Sequence, residues 1–284
     1  MLKKCNACLL VKYCSVDCQK AHRKLHKKAC KKRAAELKDE RLYGQGHERP
    51  EGDFCPICTL PVPMPTDQHS TFNACCTKMV CNGCVVAAIK RGMYATCPFC
   101  RNPMPEDSAE ILALVQKRID TGDADAMEFL AGKYLHGQCG LKRDVQRAFE
   151  LLAEAAELGS IKAHHHLGVF YKRGHNVERD ETRAVGHWEH AAMKGNVMSR
   201  HCLGFVEANK GNSQLALKHF LISAKMGYKE SLDAVKVIFT HGDATKAQYA
   251  EALKGYQDAV EETKSHQREE AKDFYWSIET KGLL

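Results

Sequence analysis

Eight cysteines fall between Cys55 and Cys100, spaced C-x2-C-x16-C-C-x4-C-x2-C-x12-C-x2-C. Three C-x2-C pairs, Cys55/Cys58, Cys81/Cys84 and Cys97/Cys100, lie within this stretch. Two intervening residues bring a pair of thiolates to roughly 3.5–4 Å, the edge of a zinc tetrahedron. A disulfide cluster needs a secretory setting. The opening MLKKCNACLLVKYC holds no apolar run long enough for a signal peptide, and no stretch approaches the ~18 apolar residues of a membrane span. The spacing therefore predicts zinc, with reduced thiols in the cytoplasm or nucleus, not secreted and not at a membrane.

Cysteine usage also divides the chain. Length alone suggests about two domains, yet 13 of the 15 cysteines precede residue 101, leaving Cys139 and Cys202 as ordinary residues of a globular remainder. The net charge of +7 is just as uneven: residues 1–41 hold 13 Lys and Arg against 4 Asp and Glu. Zinc alters this balance because thiolates bind deprotonated. Two four-cysteine sites and one site of three cysteines and a histidine would lower +7 to about +2. The chain is then not broadly basic, and nucleic acid is not an expected partner. The run from Lys20 to Lys38 reads as a solvated helix face or, alternatively, as a contact for RNA, DNA or an acidic partner.

Composition and periodicity give the expected organisation. A Cys/His finger occupies 1–33, and a basic helix followed by a Gly/Pro-containing linker occupies 34–53. The eight-cysteine module covers 54–102. A linking helix over 107–123 carries apolar Ile111, Leu112, Leu114, Val115 and Ile119, with Ser108 as its expected cap. Helical repeats fill 124–241, and one C-terminal helix over 242–284 caps them and runs on toward Tyr275.

The repeats are explicit. Leu130, Tyr134 and Gly137 return as Leu167, Tyr171 and Gly174. Asp144, Ala148, Leu152, Ala155, Ala156 and Gly159 return as Asp180, Ala184, Trp188, Ala191, Ala192 and Gly195. A third copy keeps Ala216, Phe220, Ala224 and Gly227 but lacks the loop and its aspartate. Periods of this size imply helix hairpins stacked into a solenoid, with the glycines at helix C-termini. The pattern resembles the Sel-one-like repeats, a tetratricopeptide-like family, which implies that this region recruits a protein partner or substrate.

The eight-cysteine module resembles a RING domain. That resemblance implies a cross-brace: Cys55, Cys58, Cys81 and Cys84 on one zinc, and Cys76, Cys97 and Cys100 on the other. Cys75 supplies the remaining ligand, with His69 as the alternative, because Lys78 stands where most RINGs have histidine. It further implies a ubiquitin ligase with no catalytic residues of its own, docking a conjugating enzyme through Ile57, Pro98 and Arg101; ubiquitin is then the transferred partner. Ala88 departs from the family's frequent tryptophan.

Cys5, Cys8, Cys14, Cys18, His26 and Cys30 resemble the later part of a MYND finger, with Tyr13 and Gln19 in matching places. The resemblance implies one zinc on Cys5, Cys8, His26 and Cys30, and a half-site on Cys14 and Cys18 that His22 could partly complete. Its usual opening C-x2-C is missing, which implies a natural start upstream of Met1. No phosphate-binding glycine loop and no Ser/His/Asp or Cys/His catalytic order is present. His164, His165 and His166 read as exposed helix residues. The resulting expectation is an array of small zinc modules followed by an all-α solenoid. It acts as a RING-type ligase or, alternatively, as a zinc-dependent interaction adaptor.

Overall fold

The computed structural model describes residues 2–174 and 177–280, and in the last helix the side chains of 276 and 278–280 are not described. Met1, on which the expectation about the chain's start falls, lies outside them. The chain forms two compact units, Met1–Gly46 and His47–Leu284.

In the first unit, strands β1 (Lys3–Lys4) and β2 (Lys12–Tyr13) pair antiparallel ahead of helix α1 (Val16–Gly44). Ser15 starts α1: its hydroxyl accepts the Cys18 N–H at 3.1 Å, and Asp17 sits in the first turn, where a negative charge meets the helix dipole. His26 is buried on this helix, whereas Lys20, Lys24, Lys27 and Lys31 are exposed.

The second unit begins with a 3-10 turn, Glu51–Asp53, then α2 (Thr66–His69), the antiparallel hairpin β3 (Ser70–Asn73) and β4 (Lys78–Cys81), and α3 (Asn82–Lys90). Helix α4 (Ser108–Ile119) leads into the hairpins α5 (Ala124–His136) with α6 (Val145–Glu157), α7 (Ile161–Arg173) with α8 (Glu181–Met193), and α9 (Val197–Asn209) with α10 (Ser213–Lys225). Helices α11 (Lys229–Thr240), α12 (Lys246–Glu261) and α13 (His266–Thr280) follow. The repeated aspartates cap α6 and α8. Asp144 accepts the Arg147 N–H and Asp180 the Arg183 N–H, both at 2.9 Å. The third hairpin lacks that aspartate; Asn212 makes no side-chain cap, and its connection is short.

Within each hairpin the large side chain of the second helix sets the residue allowed on the first. A side chain at Gly168 would collide with the Trp188 indole, and one at Gly204 would stand 2.5 Å from the Phe220 ring. In the first copy the smaller Leu152 occupies the matching place, and Ala131 fits fully buried. Gly159, Gly195 and Gly227 follow their helices with φ of 91°, 89° and 88°, as the repeat implied.

Four expectations need correction. The cap of α4 is Asp107, whose carboxylate accepts the Glu110 N–H at 2.9 Å; Ser108 is the first helical residue. The segment from His47, expected to be linker, is packed. Arg49 donates to the Met226 carbonyl at 2.7 and 3.1 Å and to the Val62 carbonyl, so a charged side chain replaces the missing apolar period as the anchor. The C-terminal helix is two helices: the Thr263 hydroxyl donates to the Val260 carbonyl at 2.7 Å where α12 ends. After that break α13 packs chiefly on α3. Finally, His165 is buried and shares a hydrogen bond with the fully buried Ser199 at 3.0 Å. Inner helices of a stacked solenoid bury two faces, one against their own hairpin and one against the next.

Candidate metal centres

Four tight turns with one backbone geometry build the sulfur clusters. The residue after a second cysteine adopts left-handed φ and donates its N–H to the carbonyl four residues back: Leu9 to Cys5 at 2.9 Å, Thr59 to Cys55 at 2.9 Å, and Arg101 to Cys97 at 3.0 Å. Thr77 does the same to Asn73 at 2.7 Å. Asn73 therefore occupies the place a first cysteine holds in the other turns, and Cys75, one residue before Cys76, comes into the cluster instead. Sequence spacing could not show this, because the turn has no C-x2-C. Its one signal was an Asn three residues before Cys76.

The structure gathers three groups of four candidate ligands: Cys5, Cys8, His26 and Cys30; Cys55, Cys58, Cys81 and Cys84; and Cys75, Cys76, Cys97 and Cys100. Within each, the ligand atoms lie within 4.8 Å of one another. Cys8 Sγ is 3.2 Å from His26 Nε2, Cys58 Sγ 3.8 Å from Cys81 Sγ, and Cys76 Sγ 3.9 Å from Cys97 Sγ. Bonds of about 2.3 Å to a tetrahedral zinc imply sulfur separations near 3.8 Å. The last two groups interleave along the chain. The hairpin β3–β4 carries Cys81 to one group and, through its turn, Cys75 and Cys76 to the other. His69, the alternative to Cys75, is in neither group. Cys14 and Cys18 stand apart with sulfurs 3.0 Å from each other, and His22 does not join them: its Nδ1 lies 3.2 Å from the Tyr13 hydroxyl.

Without a cation these sulfurs cannot all ionise. Sulfur hydrogen bonds from Cys81 and Cys84 push Cys55 far below the ordinary thiol range, while Cys55 and Cys81 push Cys84 far above it. Burial pushes Cys75 up and raises Cys76 to about 11. Backbone hydrogen bonding, chiefly from Cys8, lowers Cys5 to about 6, and burial raises Cys30 to about 11. A divalent cation removes this conflict by replacing the protons. Soft thiolates in tetrahedra fit zinc.

Groups around the sulfurs tie the centres to the helices. Arg118 of α4 donates to the Cys75 carbonyl at 2.7 Å, and the Thr77 hydroxyl donates to Asp123 at 2.8 Å just before α5. Asn73 Oδ1 lies 3.5 Å from Cys97 Sγ, and its amide donates to the Thr71 and Lys78 carbonyls, both at 3.2 Å. Arg268 of α13 reaches Cys58 Sγ at 3.5 Å. Sequence reasoning found none of these five side chains; the Arg268 contact spans 210 residues. Of the expected docking residues, Ile57 is 41% exposed, Arg101 is exposed and Pro98 is half-buried; Phe99, which follows Pro98, is 40% exposed. Arg101 also closes its turn with φ of 65°, a backbone role independent of its guanidinium. Among the described residues, no helix is long and apolar enough to cross a membrane.

Residues 1–30 match the family model of the MYND finger, and residues 124–160, 161–196 and 201–228 match the Sel1 repeat. Protein sel-1 homolog 2 of Mus musculus is 26% identical over 157 residues, covering 52% of this chain and 23% of that protein. The Homo sapiens protein of the same name is 32% identical over 96 residues, covering 34% and 14%. Chitin synthase regulatory factor 4 of Schizosaccharomyces pombe is 24% identical over 136 residues, covering 48% and 22%. The match thus spans less than a quarter of each relative. A crystal structure of a Sel1 repeat protein from Oxalobacter formigenes aligns with 63% of this chain and 71% of that one, at 24% identity and a TM-score of 0.49. The chain therefore carries a zinc-binding MYND finger at its N-terminus and an all-helical solenoid of Sel1 repeats.

Proposed function

We propose that this protein is a zinc-dependent interaction scaffold, with one zinc in each of the three four-ligand clusters. The observation that carries the reading is closure. Each cluster offers four protein ligands, so a tetrahedral zinc keeps no position for water or substrate, and its work is structural. Function then resides on surfaces. On the repeats, Phe149, Tyr171, Val177, Glu178, Asp180 and Arg183 line a cavity of about 330 Å3. A second of about 230 Å3 adjoins it, sharing Phe149 and Tyr171 and adding His164 and His187. Arg183 lies 5.5 Å over the Tyr171 ring and pairs with Asp180 at 3.3 Å, and with Glu178 also lining the cavity the groove has a rim of both charges on an aromatic floor. Such a groove suits an extended peptide with apolar side chains.

Peptides selected from a displayed library against the full chain test this. They are expected to bind Tyr171→Ala at least tenfold more weakly, a loss of about 1.4 kcal/mol. Binders indifferent to Tyr171 would overturn the groove assignment.

A narrower second reading is favoured by the interleaved pairing of Cys55/58 with Cys81/84 and Cys75/76 with Cys97/100, together with exposed Ile57 and Phe99. It makes residues 54–102 a RING-type module that positions a ubiquitin-loaded conjugating enzyme. Ubiquitin discharge across a panel of conjugating enzymes is the test. Arg101→Ala should slow discharge without loss of zinc, Ile57→Ala should weaken enzyme binding, and silence with every enzyme leaves the scaffold reading.

A further inference from the structure

The centre formed by Cys55, Cys58, Cys81 and Cys84 has an outer partner from the far end of the chain. Resting on the reading that this cluster holds zinc, we propose that Arg268 is its positioning residue and that α13 is a strap whose docking is coupled to the metal. Arg268 is 7% exposed in the first turn of α13. Its Nη2 donates to Cys58 Sγ at 3.5 Å and to the Leu60 carbonyl at 3.2 Å. Its Nη1 donates to the Pro61 carbonyl at 2.6 Å and the Thr263 carbonyl at 2.5 Å. One guanidinium thus holds the loop that follows Cys58 by two successive carbonyls and by the ligand sulfur itself.

The fit is shaped from the other side as well. Gly83 lies between the ligands Cys81 and Cys84, and a side chain there would stand 2.8 Å from Arg268 Cγ and 2.9 Å from the Arg268 backbone nitrogen. Lys90 of α3 pairs with Glu270 of α13 at 3.1 Å. Four thiolates on one divalent cation leave a net charge of −2. A buried guanidinium beside them offsets part of that charge, and its planar fork meets several acceptors at once. Losing such an outer partner typically costs about 10–100-fold in metal affinity. Linkage is reciprocal, so the metal must hold the strap by the same factor. Arg49 supplies the contrast: it binds the next carbonyl, Val62, and Met226, and its hydrogen bonds all go to carbonyl oxygens.

The experiment uses the full zinc-loaded chain. Zinc transfer to a colorimetric chelator is followed for wild type, Arg268→Gln, Arg268→Lys and Arg49→Gln, and Cys55→Ser identifies the zinc belonging to this centre. Amide exchange over residues 266–275 is recorded in wild type before and after that zinc is removed. Arg268→Gln should weaken this one zinc about 10–100-fold and leave the other centres unchanged. Arg268→Lys should fall between it and wild type, and Arg49→Gln should stay within about twofold of wild type. In wild type, zinc removal should lower protection of α13 by a similar factor, a measurement that needs no variant. If Arg268→Gln holds this zinc as tightly as wild type, or α13 stays protected after its loss, the coupling is overturned. If Cys55→Ser removes no zinc, it is the underlying zinc assignment that fails.

Discussion

His165 shows how one residue's surroundings reverse a reading made from its neighbours. In sequence it is the middle of three consecutive histidines. In the fold it is buried against Ser199, and its backbone carbonyl accepts the Trp188 indole N–H at 3.2 Å. His165→Ala opens a cavity and strands the Ser199 hydroxyl, so chemical denaturation should show a loss of about 1.5–3 kcal/mol. Burial also lowers the His165 pKa to about 3. Its folded value is depressed below the unfolded ~6.5, so the unfolded chain binds the extra proton first. The stabilisation is complete above about pH 6.5 and is lost as pH falls toward 3, by about 1.4 kcal/mol per pH unit. His165→Gln should flatten the fall in stability between pH 6.5 and 5 by roughly that slope; an unchanged slope would place the titration elsewhere.

Among the helices, much of the fold was legible because each repeat states its own packing rule. Small residues mark close helix approach, glycines mark helix ends, and aspartates mark helix starts. The pairing of Ala131 with Leu152, Gly168 with Trp188 and Gly204 with Phe220 extends that rule to side-chain volume. Gly168→Ala should cost about 1–3 kcal/mol through overpacking against the indole. Adding Trp188→Leu recreates the first hairpin's combination, so the double variant should be less destabilised than the two single losses summed. Additive losses in thermal unfolding would mean the glycine serves something other than the indole. What could not be read were elements placed by single long-range polar contacts. Arg49 packs a segment that has no apolar period, and Arg268 ties α13 to the loop after Cys58. A lone arginine in a polar stretch carries no periodic signal. The cysteine clusters lie between these extremes: the C-x2-C turns were plain, whereas the Asn73 turn that delivers Cys75 and Cys76 copies their backbone without their spacing.

The whole second unit has less modularity than its sequence segments imply. Phe72, on the strand leading to Cys75, stacks on Phe129 of the first repeat at 4.2 Å, and Ala74 lies in the same apolar cluster as Leu130 and Leu152. Arg118 and Asp123 bind the Cys75–Thr77 turn from α4 and from the start of α5. Metal removal therefore acts on the first repeat directly, and on the end of α10 through Arg49, which bridges the Val62 and Met226 carbonyls. Forming zinc centres contributes on the order of 10–16 kcal/mol in comparable peptides, and in stacked repeats stability passes mainly between neighbours. Chelation should strip amide protection from 54–102 and α4, lower it in α5 and α6, and change it less in α7 and α8. A Trp188→Ala chain, weakened by about 3–5 kcal/mol through the cavity it opens, should lose that separation and unfold over all three hairpins when zinc is removed. Exchange mapped residue by residue decides the point: uniform loss of protection along the wild-type repeats, or none in α5, would show that the cysteine module and the solenoid do not share stability through Phe72 and Phe129.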